Sequence, residues 1–159
     1  MAIARQDFGA RQIGRYTTVD LDQVLAIERV SYPNPWSREM FAEELDNRLC
    51  HIFVCREGSG ERRVVLGYVC FWLFLGEMHL LNVAVHPDVR REGIGKSLLS
   101  HAIDFAAERG AKVGFLEVRR SNRAAQTMYE RFGFREMGVR PRYYEDGEDA
   151  VVMLLEVTR

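Results

Sequence analysis

The segment Val83-Ala84-Val85-His86-Pro87-Asp88-Val89-Arg90-Arg91-Glu92-Gly93-Ile94-Gly95-Lys96 constrains the fold more than any other. Its β-forming start ends at a His-Pro pair, where proline removes a ladder donor and disfavours helix in the residue before it. A short basic loop with two glycines follows. From Gly95 the apolar positions Leu98, Leu99, Ala102, Phe105 and Ala106 recur at helical spacing until Gly110, a natural stop. Val113 to Val118 then reads as a short strand buried on both faces. Strand, helix and strand in this order form a β-α-β unit, with parallel strands and a right-handed crossover.

A glycine loop at a helix start is also an anion site. The first N–H groups of the helix have no partner within it, and the positive end of its dipole faces the loop. Gly93 and Gly95 let backbone approach the anion, and Arg90, Arg91 and Lys96 add charge of the right sign. No Gly-Lys-Ser/Thr ending has the right spacing, since Gly95-Lys96-Ser97 is preceded by Arg90 where the first glycine would fall, and this excludes the triphosphate-cradling loop of that signature. A dinucleotide fingerprint fits poorly: its third glycine is missing, and the acidic residue expected at the end of the next strand comes as Glu117, in the wrong context. The expectation is a phosphate-bearing ligand between a strand end and a helix N-terminus.

The flanking segments complete one mixed domain over residues 1–159, with residues 1–10 a loose leader. Gln12 to Thr17 reads as a strand. Asp20 reads as an N-cap with Gln23 three positions on, ahead of the helical face Leu21, Val24, Leu25, Ile27 and Val30. Tyr32-Pro33-Asn34-Pro35-Trp36 breaks that helix, and Ser37 caps a second, Arg38 to about Leu45, with Phe41 and Leu45 on one side. Cys50 to Arg56 and Val64 to Leu75 form an antiparallel hairpin about Gly58-Ser59-Gly60, and Met78 to Val85 is the next strand. Ser121 or Asn122 caps a helix with the stripe Ala125, Met128, Tyr129 and Phe132, ended by Gly133. Phe134 to Val139 and Ala150 to Val157 are the last strands, around the polar loop Arg140 to Asp149. The fold class is α/β (α+β mixed sheet): about seven strands, mostly antiparallel, with a parallel β-α-β core and about four helices.

Composition narrows the function classes. The chain has 159 residues, 47% hydrophobic and 28% charged, enough for one real core. No apolar run approaches the ~20 residues of a membrane span. A net charge of -1 argues against a nucleic-acid binder held by overall charge. The three cysteines, Cys50, Cys55 and Cys70, form no CxxC pair, and they read as buried thiols in a reducing cytoplasm. No His/Cys/Asp/Glu spacing reads as a metal site.

Arg90-x-x-Gly93-x-Gly95 with its helix resembles the acetyl-CoA pyrophosphate loop of the GNAT superfamily of N-acetyltransferases. Leu81-Asn82-Val83-Ala84-Val85-His86-Pro87 resembles the preceding strand of that family. Leu116-Glu117-Val118-Arg119-x-Ser121-Asn122-x-x-Ala125-x-x-Met128-Tyr129-x-x-Phe132-Gly133-Phe134 resembles its second half. Two further stretches are similar to the ribosomal-protein alanine N-acetyltransferase branch: Tyr32-Pro33-x-Pro35-Trp36-Ser37, and Arg140-x-x-Tyr143-Tyr144-x-x-Gly147-x-Asp149-Ala150-x-x-Met153. The resemblance implies a GNAT fold and acetyl-CoA as cosubstrate, with no metal. It further implies a cytoplasmic enzyme that acetylates a protein N-terminus, such as that of a small-subunit ribosomal protein, without contacting nucleic acid or membrane.

The same resemblance distributes the roles. Arg90, Arg91, Glu92, Gly93, Ile94, Gly95 and Lys96 would hold the pyrophosphate, and Val83, Ala84 and Val85 the pantetheine arm and acetyl carbonyl through backbone atoms. Glu117 would be the general base and Tyr129 the general acid. An α-amino group, with a pKa of roughly 8, must lose a proton before it attacks, and a carboxylate with a raised pKa can take it. A phenol can return a proton to the departing thiolate. Asn122 would contact CoA.

Residue types alone leave alternatives open. Glu117 also fits a salt bridge to Arg119, Arg120 or Arg123, Tyr129 a core aromatic, and Asn122 a plain N-cap. Tyr32 and Trp36 read as one wall for an acceptor peptide, with Arg142, Tyr143 and Tyr144 as the other. The bland readings are a core anchor for Trp36 and a solvated hairpin tip for the loop. A lysine or small-amine acceptor, and a sensor that binds acetyl-CoA without catalysis, are the competing functions.

Overall fold

The computed structural model describes residues 10–58 and 60–158. Nine residues of the expected leader, and Ser59 of the expected turn, lie outside the described residues. Among the described residues, seven strands form one sheet: β1 (Arg11–Arg15), β2 (Cys50–Glu57), β3 (Val64–Phe74), β4 (Glu77–Val85), β5 (Val113–Arg119), β6 (Arg135–Arg140) and β7 (Ala150–Glu156). Their order is β1-β2-β3-β4-β5-β7-β6. The helices are α1 (Leu21–Ser31), α2 (Arg38–Asp46), α3 (Ile94–Glu108) and α4 (Arg123–Arg131).

The sheet is mixed. β1 with β2, β5 with β7 and β6 with β7 are antiparallel, while β4 with β5 is parallel, as a β-α-β unit demands. The parallel ladder spans Glu77↔Val113 to Leu80↔Leu116, whereas β5 continues along β7 to Arg119↔Ala150.

By its internal contacts the chain divides into two compact units of interleaved segments: Met1–Phe71 with Asn82–Ala102, and Trp72–Leu81 with Ile103–Arg159. In the first, α1 buries Val24, Leu25, Ile27 and Glu28. Val30, expected on that face, is 53% exposed. At about 100° per residue it falls on the far side of the wheel from Val24 and Glu28. Leu45 is exposed as well, because α2 ends one residue later. Asp20 precedes α1 as expected, but its carboxylate does not cap that helix. The buried group instead accepts from Thr17 N–H (2.8 Å) and pairs with Arg56 (2.6 Å) and Arg63 (3.3 Å). Gly67 on β3 has a steric role: a Cβ there would stand 2.8 Å from the Ala84 carbonyl oxygen and 3.1 Å from Leu98 Cδ1.

The core of the second unit includes Met78, Leu80, Ile103, Leu116, Phe134 and Met153. β5 was expected to be buried on both faces, and it is not. Gly114, Leu116 and Val118 are buried, while Val113, Phe115, Glu117 and Arg119 are half-buried. The strand period of two sends the glutamate to the half-open face.

Candidate active site

The glycine loop lies in the first unit. Gly93 has φ +82°, and a Cβ there would meet nothing within 4 Å, so backbone angle alone requires glycine. Arg91 also takes a left-handed conformation, φ +65°. Gly93 C=O accepts from Ser97 N–H (3.0 Å), the first rung of α3, and helix geometry leaves the N–H groups of residues 93–96 without an intrahelical acceptor. Buried Ile94 anchors this turn, and Arg91 and Lys96 are exposed beside it. Open amides, local cation charge and a glycine with no side chain in the way suit a pyrophosphate. The other charged residues assigned to the loop are engaged. Arg90 donates to Val85 C=O (3.0 Å) and Ser31 Oγ (3.3 Å), and Glu92 pairs with Arg11 (2.7 Å).

Val83, expected to offer its amide to an acyl oxygen, meets Tyr32. The Tyr32 hydroxyl donates to Val83 C=O (2.7 Å) and accepts from Val83 N–H (3.3 Å). Trp36 packs its ring 5.1 Å from Phe41 and donates its backbone N–H to Glu28 (3.1 Å). Glu28 is 1% exposed, and burial pushes its carboxyl up to about 7 against the pull of the Trp36 and Asn82 hydrogen bonds.

The second unit holds the groups expected to move protons. Glu117 Oε2 lies 2.7 Å from His79 Nε2, and Oε1 lies 3.7 Å from Arg140. The glutamate side chain is 10% exposed and the histidine 35%. A raised Glu117 pKa was expected; the structure gives the opposite. Burial pushes it up, but the His79 hydrogen bond and charge, with the Arg140 charge, hold it below the ordinary range. The expected salt-bridge arginines are committed elsewhere: Arg119 to Asp146 (2.7 Å) and Glu148 (3.0 Å), Arg120 to Asp149 (3.7 Å), and Arg123 to Gln126 (3.4 Å).

Tyr129 is buried on α4 with its ring 5.8 Å from Phe134. Burial, then Tyr144, raises its phenol well above the ordinary value, so it stays a neutral donor. Asn122 caps α4 by accepting from Ala125 N–H (3.2 Å). Gln126 donates to the carbonyls of Arg119 and Arg120 (both 3.0 Å), fixing the turn after β5.

The β6–β7 loop is organised by Arg119, whose guanidinium lies 4.1 Å over the Tyr144 ring. Tyr143 is exposed, with its ring 5.1 Å from Tyr144 at 87° and 5.7 Å from the Arg140 guanidinium. Arg142 takes φ +53° and donates its N–H to Asp149 (3.0 Å).

His79 is a functional candidate that the sequence does not single out. The available signal was its place one residue after Met78 in a strand expected to run parallel to that of Glu117. A cavity of about 450 Å³ among Ile103, Phe132, Arg135 and Leu155 includes neither His79, Glu117 nor Tyr129.

A mixed sheet with a β-α-β core, a glycine loop at a helix start and a carboxylate on the second parallel strand are the features that the resemblance to the N-acetyltransferases implies. The sequence model of the acetyltransferase (GNAT) family matches residues 21–134, and the chain belongs to that family. It is similar to the [ribosomal protein bS18]-alanine N-acetyltransferase of Escherichia coli K12, 36% identical over 149 residues, covering 92% of this chain and 97% of that one. The crystal structure of the ribosomal-protein-S18-alanine N-acetyltransferase from Escherichia coli matches with a TM-score of 0.82 at 35% identity, covering 94% and 96% of the two proteins. An N-alpha-acetyltransferase of Sulfurisphaera tokodaii is 35% identical over 147 residues, 84% of this chain and 86% of that one. The protein is an acyltransferase, and the donor that its family uses is acetyl-CoA. Among the described residues, no helix is long and apolar enough to cross a membrane.

Proposed function

We propose that the protein transfers an acetyl group from acetyl-CoA to the α-amino group of a protein N-terminus, and that the acceptor is the N-terminal alanine of ribosomal protein bS18. The observation that carries the chemistry is the His79–Glu117 pair. The E. coli relative, alike over nearly its whole length, supports the acceptor. Such an acceptor puts the reaction in the cytoplasm. The family match runs through segments of both compact units, which supports one catalytic domain.

In this reading the amides at the start of α3, with Arg91 and Lys96, hold the donor's pyrophosphate. Glu117 is ionised at neutral pH and orients His79, and the pair takes the proton that the attacking amine loses, directly or through a water. The His79 hydrogen bond, with Arg140 beside it, keeps Glu117 charged. Tyr129 donates its O–H to the sulfur as the thioester breaks. Its raised pKa, against about 8.5 for an ordinary thiol, makes it a hydrogen-bond donor to the leaving sulfur rather than a strong acid. Tyr143 and Tyr144, with Arg142 beside them, are read as acceptor contacts, and so are Tyr32 and Trp36. Direct attack is favoured over an acyl-cysteine, because burial pushes the Cys55 thiol up, and the Cys50 hydrogen bond with burial does the same to Cys70.

Mass spectrometry of an N-terminal peptide library incubated with protein and acetyl-CoA tests this. Free-amine alanine peptides should be acetylated in preference to N-blocked, lysine-containing ones. Acetylation confined to lysine or to small amines would overturn the acceptor.

A further inference from the structure

Glu28 is a buried carboxylate that the proton chemistry above does not use. It sits in α1, near the start of the Tyr32–Trp36 segment, with donors converging on it from three other elements of the first unit. Oε1 accepts from Trp36 N–H (3.1 Å) and Asn82 Nδ2 (3.0 Å). Oε2 accepts from the Tyr68 hydroxyl and from the same Asn82 nitrogen (3.2 Å). The backbone carbonyl of Glu28 accepts from Tyr32 N–H (3.2 Å).

One residue thus fastens both ends of the segment. Pro33 and Pro35 have no N–H, so only the amides of Tyr32, Asn34 and Trp36 can donate, and Glu28 takes the first and the last. β4 is tied to the same helix end twice, through the Asn82 side chain to Glu28 and the Val83 backbone to Tyr32. A glutamate suits this place because its two oxygens reach all three donors, which come from β3, β4 and the loop before α2.

We propose that Glu28 is the positioning residue that holds the acceptor wall, Tyr32 to Trp36, against residues 82–83 of β4, and so sets the affinity for the acceptor N-terminus without acting on acetyl-CoA. This rests on the reading of Tyr32 and Trp36 as acceptor contacts. Glutamine keeps an Oε1 for Trp36 and Asn82; leucine keeps the volume and strands their donors without an acceptor.

The test measures steady-state kinetics with an alanine-starting peptide and acetyl-CoA, together with amide hydrogen exchange. Glu28→Leu should raise KM for the peptide about tenfold, the scale of losing a hydrogen bond to a charged group, with KM for acetyl-CoA within about twofold of the parent. Glu28→Gln should restore most of the peptide KM. Exchange across residues 32–41 should quicken about tenfold in Glu28→Leu and little in Glu28→Gln. In the parent protein, whatever the variants' folding, the Trp36 amide should exchange at least about tenfold slower than that of Asn34. Equal Trp36 and Asn34 exchange, parallel rises in both KM values, or a glutamine variant as impaired as leucine would overturn the proposal. If the parent acetylates no free-amine peptide, the functional reading fails, while the exchange data still decide whether Glu28 holds the segment.

Discussion

At the scale of single residues, the proposed proton transfer rests on a hydrogen-bonded pair, His79 and Glu117, rather than on a glutamate alone. Carboxylates in catalysis are often tuned upward by burial, and Glu117 is buried enough for that. His79 and Arg140 reverse the sign. A carboxylate held below its ordinary range is ionised throughout the neutral region, so its titration cannot shape the rate there. Glu117→Gln should therefore lower kcat by about a hundredfold or more, the scale of general-base loss, at every pH from 6 to 9. It should leave the affinity for CoA within about twofold, since no donor-holding residue is altered. The rise of kcat/KM toward pH 8, set by the amine, should persist in the residual activity. Unchanged turnover would remove Glu117 from the mechanism. His79→Gln, which keeps an amide group near the carboxylate but cannot take the proton, should fall by a similar factor. If only Glu117→Gln falls, the histidine serves orientation, and the carboxylate takes the proton itself.

At the scale of elements, the β4–loop–α3 junction was legible because its rules are local. Proline after histidine, a glycine whose φ must be positive and a long apolar stripe each act within a few residues, and Gly93 at +82° confirms the most local of them. Gly67 was not legible, because what it avoids comes from elements far along the sequence. It brings β3 close under the Ala84 carbonyl and Leu98. Gly67→Ala should cost about 2 kcal/mol by overpacking, as the backbone oxygen at 2.8 Å cannot turn aside. Chemical denaturation reads that loss. Since Leu98 and Ile94 flank the same glycine, the start of α3 should shift too, and KM for acetyl-CoA should rise more than KM for the peptide. Elements also explain the failed expectations. Asp20 does not cap α1 because its carboxylate is taken by Arg56, Arg63 and the Thr17 N–H, and Val30 faces out because its turn places a carboxylate inward. Neither partner set is local: Arg56 lies 36 residues from Asp20, and Asn82 lies 54 from Glu28. Sequence periodicity reports faces, but it cannot report which distant donors will arrive.

For the molecule as a whole, the same two acids act on folding stability in opposite directions with pH. The Asp20 carboxyl is pushed up by burial, but the Arg56 hydrogen bond, the Thr17 N–H and the charges of Arg56 and Arg63 bring it below the ordinary range. Its contribution is therefore present above the unfolded pKa, about 4, and is lost as acid protonates it below that. Glu28 is the reverse case, raised from 4.5 to about 7, and no cation is among the groups acting on it. The folded state binds its proton more tightly than the unfolded state does. Stability is thus fully present below pH 4.5, falls as pH rises from there to about 7, and is flat above, for a total of about 3 kcal/mol. The groups facing the carboxylate are the Tyr68 phenol, the Asn82 amide and the Trp36 N–H, and none of the three changes charge in that window. Glu28→Gln removes the ionisation and keeps the acceptor oxygen. Urea unfolding at pH 5, 6, 7 and 8 should then show the parent losing stability relative to Glu28→Gln across that span, with the gap narrowing to little at pH 5. The same slope in both proteins would mean that the carboxylate gains enough from its three donors to ionise at its ordinary pH inside the core.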